Sequence, residues 1–218
     1  MSELLDCSAV ALARMIRTKQ VSVQELVNTH IDRIELVNPS INAVIATCYD
    51  NARAAAKQAD ETLARTSVAP DDLPPLFGLP YTAKEYVSVE GMPLSGGVWS
   101  RRHIRAETDA ETIVRLRQAG AILVGLTNVP EGGLWLETYN TVYGRTRNPW
   151  NLDRSAGGSS GGEGAIISAG GVAFGLGADV GGSIRIPAAW CGTAGHKPTG
   201  RMIPNTGFWP QAEGELSA

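Results

Sequence analysis

In the first third of the chain, apolar positions recur at three- and four-residue intervals, which predicts helices with little strand. Over residues 8–19, Val10, Leu12, Ala13 and Ile16 make one helical stripe. Ser22-Val23-Gln24-Glu25 has the form of a capping box, and Leu26, Ile31 and Ile34 follow at roughly helical spacing. A short apolar run over 41–47 reads as a strand, and the alanine-rich, charged stretch 50–64 as a surface helix. Prolines and aspartates crowd residues 66–75, which reads as a loop.

From Leu76 onward strands alternate with helices. Thr108-Asp109-Ala110-Glu111 offers a second capping box, opening a helix that runs through Leu116 to Gly120. The continuous apolar run 121–126 suits a strand covered on both faces, and 172–176 is similar, with a small-residue helix before it over 163–169. This order predicts an α/β fold: a mixed β-sheet core covered by helices, in a single domain over 1–218 whose first part, 1–70, is mainly helical.

Composition narrows the class. A chain of 218 residues is long enough for one domain with a substantial core, and a net charge of -3 argues against a nucleic-acid surface. Cys7, Cys48 and Cys191 are an odd number without metal-ligand spacing, which points to a reducing, cytoplasmic setting. Residues 1–6 lack the basic and apolar regions of a signal peptide. The longest uncharged stretch, 164–178, is too short and glycine-rich for a membrane span, which needs about 20 apolar residues.

Of the 25 glycines, 14 lie between 157 and 200, where backbone must turn sharply or approach another group closely. Lys84 ends the apolar stretch Leu79-Pro80-Tyr81-Thr82-Ala83-Lys84. It is either an ordinary solvated lysine or a buried amine, neutral near pH 7 and able to act as a base. Ser183 follows Gly181-Gly182, and Pro187 is placed to open a short helix ending near Gly192. The amides there offer an oxyanion hole; alternatively Asp179 and Arg185 only form an ion pair around a tight turn. Ser159 and Ser160, set among four glycines, are either a flexible loop or part of the same chemistry.

The blocks Gly157-Gly158-Ser159-Ser160-Gly161-Gly162-Glu163-Gly164-Ala165 and Gly175-Leu176-Gly177-Ala178-Asp179-Val180-Gly181-Gly182-Ser183-Ile184-Arg185 closely resemble the amidase signature family. Pro187-Ala188-Ala189 and Cys191-Gly192-Thr193-Ala194-Gly195-His196-Lys197-Pro198 continue the likeness. Upstream, Gly78-Leu79-Pro80 with Lys84, Gly91-Met92-Pro93, Gly96-Gly97, Gly120-Ala121, Thr127-Asn128 and Arg147-Asn148-Pro149-Trp150 fit as well, so it spans residues 76–201. Glu163, Cys191 and Gly195-His196-Lys197-Pro198 resemble the fatty-acid-amide-hydrolase-like branch more than tRNA amidotransferase A subunits. The resemblance implies the amidase signature fold and hydrolysis of a small carboxylic amide through an acyl-serine intermediate, without metal or cofactor. It implies a Ser-Ser-Lys triad, with Ser183 as nucleophile, Ser159 as bridging serine after a cis Gly158–Ser159 bond, and Lys84 as base. Val180, Gly181, Gly182 and Ser183 would supply the oxyanion-hole amides, and Gly133 would border the substrate. A homodimer is compatible with this. Family members are usually much longer, so the chain reads as the N-terminal part of such a domain, with an exposed sheet edge.

Rival readings have their own marks. Gly157-x-Ser159-x-Gly161 fits a nucleophile elbow of an α/β-hydrolase-like esterase, with Asp179 and His196 in the required order, but 148–156 looks too turn-like to supply the strand. Gly175-x-Gly177-x-x-x-Gly181 resembles a dinucleotide loop but lacks the acidic residue expected about 20 residues later. A catalytically inactive fragment, or a protein like an amidotransferase A subunit, is the remaining alternative. His196 is expected in a polar core, Cys191 as a small buried hydrophobe, and Trp135, Trp150 and Trp190 in core or pocket walls.

Overall fold

The computed structural model describes residues 3–65 and 72–210. In chain order the regular elements are α1 (Ala9–Arg17), α2 (Val23–Ile41), β1 (Val44–Thr47), α3 (Tyr49–Arg65), β2 (Pro80–Lys84), α4 (Glu111–Gln118), β3 (Ile122–Thr127), β4 (Tyr139–Asn140), β5 (Gly144–Arg145), β6 (Arg147–Asn148), β7 (Asn151–Ser155), α5 (Gly161–Ser168), β8 (Phe174–Leu176) and α6 (Arg185–Cys191). The opening order of helix, helix, strand, helix is the one the hydrophobic pattern predicts.

Local chemistry explains the long α2. Ser22 caps it by accepting from the Glu25 amide at 3.0 Å. The Asp60 carboxylate on α3 takes the amides of Val23 at 2.7 Å and Gln24 at 3.0 Å, so the free N–H groups of the first turn also bind the two helices together. Val23, Leu26, Val27, Ile31 and Ile34 form its buried face. The helix reaches Ile41, so the expected strand begins three residues late. Asn42 adopts the left-handed conformation, and the Asn38 side chain accepts from the amides of Ala43 and Val44 at 2.8 Å, turning the chain into β1.

The main sheet has strand order β1-β3-β2-β8. β1 runs antiparallel to β3, whereas β2 lies parallel to both β3 and β8, so the sheet is mixed. β2 and β3 are buried throughout because helices cover both faces. Tyr81 and Ala83 of β2 pack in one cluster with Ile113 of α4 and Phe208. The other cluster joins Ile122 and Val124 of β3 to α1, α2 and α5. α5 approaches closely because Gly162 has no side chain: a Cβ there would lie 2.5 Å from the Asn128 amide nitrogen.

Four expectations need correction. Thr108 does not cap α4: the helix starts at Glu111 after Ala110, because Asp109 is drawn away to the Glu90 amide at 2.9 Å and to Arg117 at 3.2 Å. β8 is not covered on both faces; it is half-buried and ends the sheet. The segment expected to be turn-like holds a strand, β7, although this pairs only with β6 in an exposed ribbon outside the main sheet. Pro187 is the third residue of α6, not the first; Gly192 ends that helix in the left-handed conformation. Of the loop expected over 66–75, residues 66–71 lie outside the described residues. Among the described residues, no helix is long and apolar enough to cross a membrane.

Ile34 is 1 % exposed between α2 and Gly171. Ile34→Ala is expected to cost about 2–5 kcal/mol of unfolding free energy, read as a lower urea midpoint at unchanged slope. A cost under about 1 kcal/mol would show that the α2 interface relaxes around the void.

Candidate active site

Alternation along β2 turns Thr82 and Lys84 to one face while Tyr81 and Ala83 take the other. Lys84 ends the strand in the middle of the sheet and has no solvent exposure. Its Nζ donates to Ser159 Oγ at 2.6 Å, lies 3.5 Å from the Ala178 carbonyl oxygen, and sits 4.3 Å from the centroid of the Tyr86 ring. Burial lowers its pKa to about 7, against the opposing pull of Asp179 and Glu163. The solvated-lysine alternative is therefore excluded, and the burial is complete.

Ser159 and Ser160 precede α5 and are also buried, so the glycine run around them is a packed turn. The Gly158–Ser159 bond is cis. Thr138 Oγ1 donates to the Gly157 carbonyl at 2.9 Å and accepts from the Gly161 amide at 3.1 Å, spanning the turn. The Ser160 amide donates to the Ser183 carbonyl at 3.0 Å, and Ser160 Oγ bonds both the amide and the carbonyl of Ala178. These bonds fasten the serine turn to the segment carrying Ser183. The Ser183 hydroxyl itself has no hydrogen bond among the described residues, so the structure joins Lys84 to Ser159 but leaves the Ser159–Ser183 step unformed.

Asp179 organises that second segment. Its buried carboxylate accepts from the amides of Gly182 at 2.7 Å, Ile184 at 3.1 Å and Arg185 at 3.2 Å, and from Arg185 Nε and a terminal nitrogen at 2.9 Å each. Burial alone would raise its pKa, but the guanidinium and the three amides outweigh this and hold the carboxyl far below the usual range. The ion pair and the amide-rich turn, set against each other by the sequence, are thus one feature. Gly182, at φ 127°, occupies backbone space that other residues rarely adopt. Its amide is spent on Asp179, which removes it from the expected set of four. The amides of Val180, Gly181 and Ser183 have no acceptor among the described residues, and they can stabilise negative charge beside the Ser183 hydroxyl.

Gly133 borders the same place: a Cβ built on it would lie 3.7 Å from Ser159 Oγ and 3.3 Å from the Tyr86 ring. Its loop is held indirectly by Glu85. That buried carboxylate accepts from the amides of Ser95 at 2.6 Å and Gly96 at 2.8 Å, and the Gly96 carbonyl accepts from the Gly132 amide at 2.8 Å. Beyond Gly132 opens a cavity of about 970 Å³ whose lining includes Val98, Leu134, Trp135, Tyr139 and Trp209. Sequence reasoning missed the structural use of Glu85, Tyr86, Thr82 and Thr127, and took Glu163 only as a branch marker. The available signal was acidic residues inside otherwise apolar or small-residue segments.

Other expectations shift. His196 is exposed rather than in a polar core, and no hydrogen bond links it to Ser159 or Asp179; with Asp179 held by Arg185, the nucleophile-elbow triad is not assembled. β8 is not followed directly by a helix, so the dinucleotide-loop reading fails too. Trp135, Trp150 and Trp190 are 68 %, 76 % and 47 % exposed, hence not core, but Trp135 and Trp150 each line a pocket wall, one of the two places expected for them. Cys191 is fully buried, as expected of a small hydrophobe.

Comparison with known proteins bears on this arrangement. The family profile described as Amidase matches residues 25–217. "Fatty-acid amide hydrolase 2-A" of Danio rerio is 44% identical over 215 residues, covering 97% of this chain and 40% of that protein. A solved fatty acid amide hydrolase superposes with a TM-score of 0.88 at 32% identity, covering 94% of this chain and 36% of the other. A complex described as vestigial, and as revealing the origins of an s-triazine catabolic enzyme, gives a TM-score of 0.89 at 39% identity, with 94% and 44% covered. The chain therefore spans about 40% of the length of the curated relatives it matches.

Asp179→Asn removes the charge that gathers three amides and the guanidinium while keeping the side chain's shape. It is expected to cost about 2 kcal/mol or more in stability, since hydrogen bonds to a buried charge each contribute roughly 1.5–3 kcal/mol. Urea unfolding measures this; a variant as stable as the parent would mean that the turn holds its shape without the carboxylate.

Proposed function

The chain belongs to the amidase family, and from that premise we propose that it hydrolyses a carboxylic amide to acid and amine through an acyl-serine intermediate. The observation carrying this reading is the fully buried Lys84 amine, 2.6 Å from Ser159 Oγ, with a pKa lowered by burial to about 7. At and above that pH the amine is substantially neutral and able to accept a proton.

In the proposed reaction the Ser183 hydroxyl turns toward Ser159. Lys84 takes the Ser159 proton, Ser159 takes the Ser183 proton, and Ser183 Oγ bonds to the substrate carbonyl carbon. The carbonyl oxygen becomes an oxyanion that the amides of Val180, Gly181 and Ser183 receive. Gly182 shapes this turn without donating its own amide to the oxyanion. As the carbon–nitrogen bond breaks, the proton on Lys84 returns through the Ser159 hydroxyl to the departing nitrogen, releasing the amine. Water then attacks the acyl-serine and gives its proton to the same relay, so that the acid leaves and Ser183 regains its hydrogen. Gly133 leaves room beside the scissile group, and the 970 Å³ cavity next to it would take part of the substrate. The proposed chemistry uses no cofactor. Its setting is the cytoplasm, in keeping with three free cysteines, and a homodimer is compatible with it.

Lys84→Ala is expected to lower amide turnover by about 10²–10⁴-fold, while His196→Ala leaves it nearly unchanged. Because protonated Lys84 cannot serve as base, kcat/KM should fall tenfold per unit as pH drops below about 7. Assay of the full chain on a panel of acyl amides tests both. Near-normal turnover by Lys84→Ala, or an acid limb absent down to about pH 5, contradicts the mechanism.

A fluorophosphonate should label Ser183, as peptide mapping by mass spectrometry would reveal. Labelling at Ser159 or Ser160 instead would move the nucleophile to the serine turn.

A further inference from the structure

One buried carboxylate is left without a task in this mechanism. Glu163, in the first turn of α5, is 4 % exposed and points into the face of the sheet that carries Lys84. One oxygen accepts from Thr82 Oγ1 of β2 at 2.7 Å and the other from Thr127 Oγ1 of β3 at 2.8 Å. On β8, Gly175 is register partner to Thr82, and any Cβ there would strike Glu163 Oε2. Three strands thus supply two hydroxyls and one bare backbone position to seat a single carboxylate. That is far more than a solvated glutamate needs, because a buried charge must be paired and hydrogen-bonded. Thr82 precedes Lys84 by two residues on the same face, so the carboxylate and the amine share that face of the sheet and each acts on the other's charge.

We propose that Glu163 is a positioning residue for Lys84: its carboxylate is the countercharge for the ammonium that forms when the lysine takes a proton from the serines. The inference rests on the amide-hydrolysis reading. A neutral amine tolerates a dry site; an ammonium there without a partner does not. Uptake of the proton opposite an ionised Glu163 turns a site with one negative charge into a neutral pair. The other groups around Lys84 do not replace it. Asp179 faces it from the segment after β8 and also pulls on the amine, but that charge is shared with Arg185 and three amides, whereas Glu163 has no cation other than Lys84 to offset it among the described residues. Tyr86 offers only its ring, the serine turn offers hydroxyls, and β3 and β8 bring no ionisable side chain to this face. Burial pushes the Glu163 carboxyl up to about 7, against the threonine hydroxyls and Lys84, so the carboxylate is ionised above that pH, where the lysine is neutral and works as a base.

The test reads Lys84 directly. The chain has four lysines, so full-length protein labelled with ¹³C at lysine Cε gives a resolvable NMR titration, with the Lys84 signal assigned by its loss in Lys84→Arg. In Glu163→Gln the Lys84 midpoint should fall by about one pH unit, since loss of a nearby opposite charge favours the neutral amine. The acid limb of kcat/KM should move down by the same amount, and kcat should drop about 10-fold or more with KM little changed. Thr127→Val, which removes one donor to the carboxylate, should move the midpoint the same way by less. A folded Glu163→Gln with an unmoved Lys84 midpoint overturns the proposal even if activity is lost, because that is the outcome of a structural role. If Glu163→Gln does not fold, an unmoved midpoint in Thr127→Val overturns it. A shifted midpoint in a protein that cleaves no amide supports the pairing and refutes the amide-hydrolysis reading alone.

Discussion

A primary amine with no access to water is the constraint on which the rest of the site depends. Lys84 can lose its hydration only at the end of a central strand, with α5 over its face and the serine turn and the Ala178 carbonyl closing over its tip. Each of these must arrive within hydrogen-bonding distance, because a buried amine left without a partner costs several times what the bond contributes. The mixed sheet, the close approach of α5 through Gly162 and the fastening of residues 157–161 by Thr138 all serve that closure.

The same economy governs the carboxylates. Asp179 and Glu85 are buried and accept from backbone amides, so each fixes a loop as well as a side chain, Arg185 and Tyr143 respectively. Backbone held by a buried charge is stiff. That stiffness matters for an oxyanion site, where donors must already be aimed before charge develops. Asp179 also draws off the Gly182 amide and leaves three neighbouring amides free, so choosing which donors remain is part of shaping the turn.

How much of this was legible in the sequence depended on the range of the interactions. α1, α2 and α3 were readable because their stripes and the Ser22 cap are local. Lys84 stood out for its apolar neighbours, yet its full burial depends on Ser159 and Ala178, 75 and 94 residues away. The roles of Glu85 and Glu163 were hidden for the same reason: acidic residues default to the surface, and the amides and hydroxyls that hold these two come from other elements. Thr108 misled because the cap pattern was present while Asp109 was claimed by Glu90 and Arg117 across the fold. His196 and Trp190 misled because residue type was taken as burial, whereas large aromatic side chains line open surfaces as readily as cores.

The buried polar groups and the exposed side chains around the cavity are built differently, and this separates what each could specify. Lys84, Ser159, Asp179 and Glu163 are buried and each is tied to a separate segment, so moving one disturbs several elements and the chemistry they support is narrow. By contrast, Leu134 and Trp135 beside Gly133 are 82 % and 68 % exposed, and side chains that carry so few contacts tolerate replacement. On the proposed function, residues of that second kind would select among amides, whereas those of the first would fix the reaction. A lysine and serines in a glycine-rich frame therefore carry a family resemblance that is legible in the sequence, whereas the exposed stretch around the cavity carries no comparable mark of a substrate.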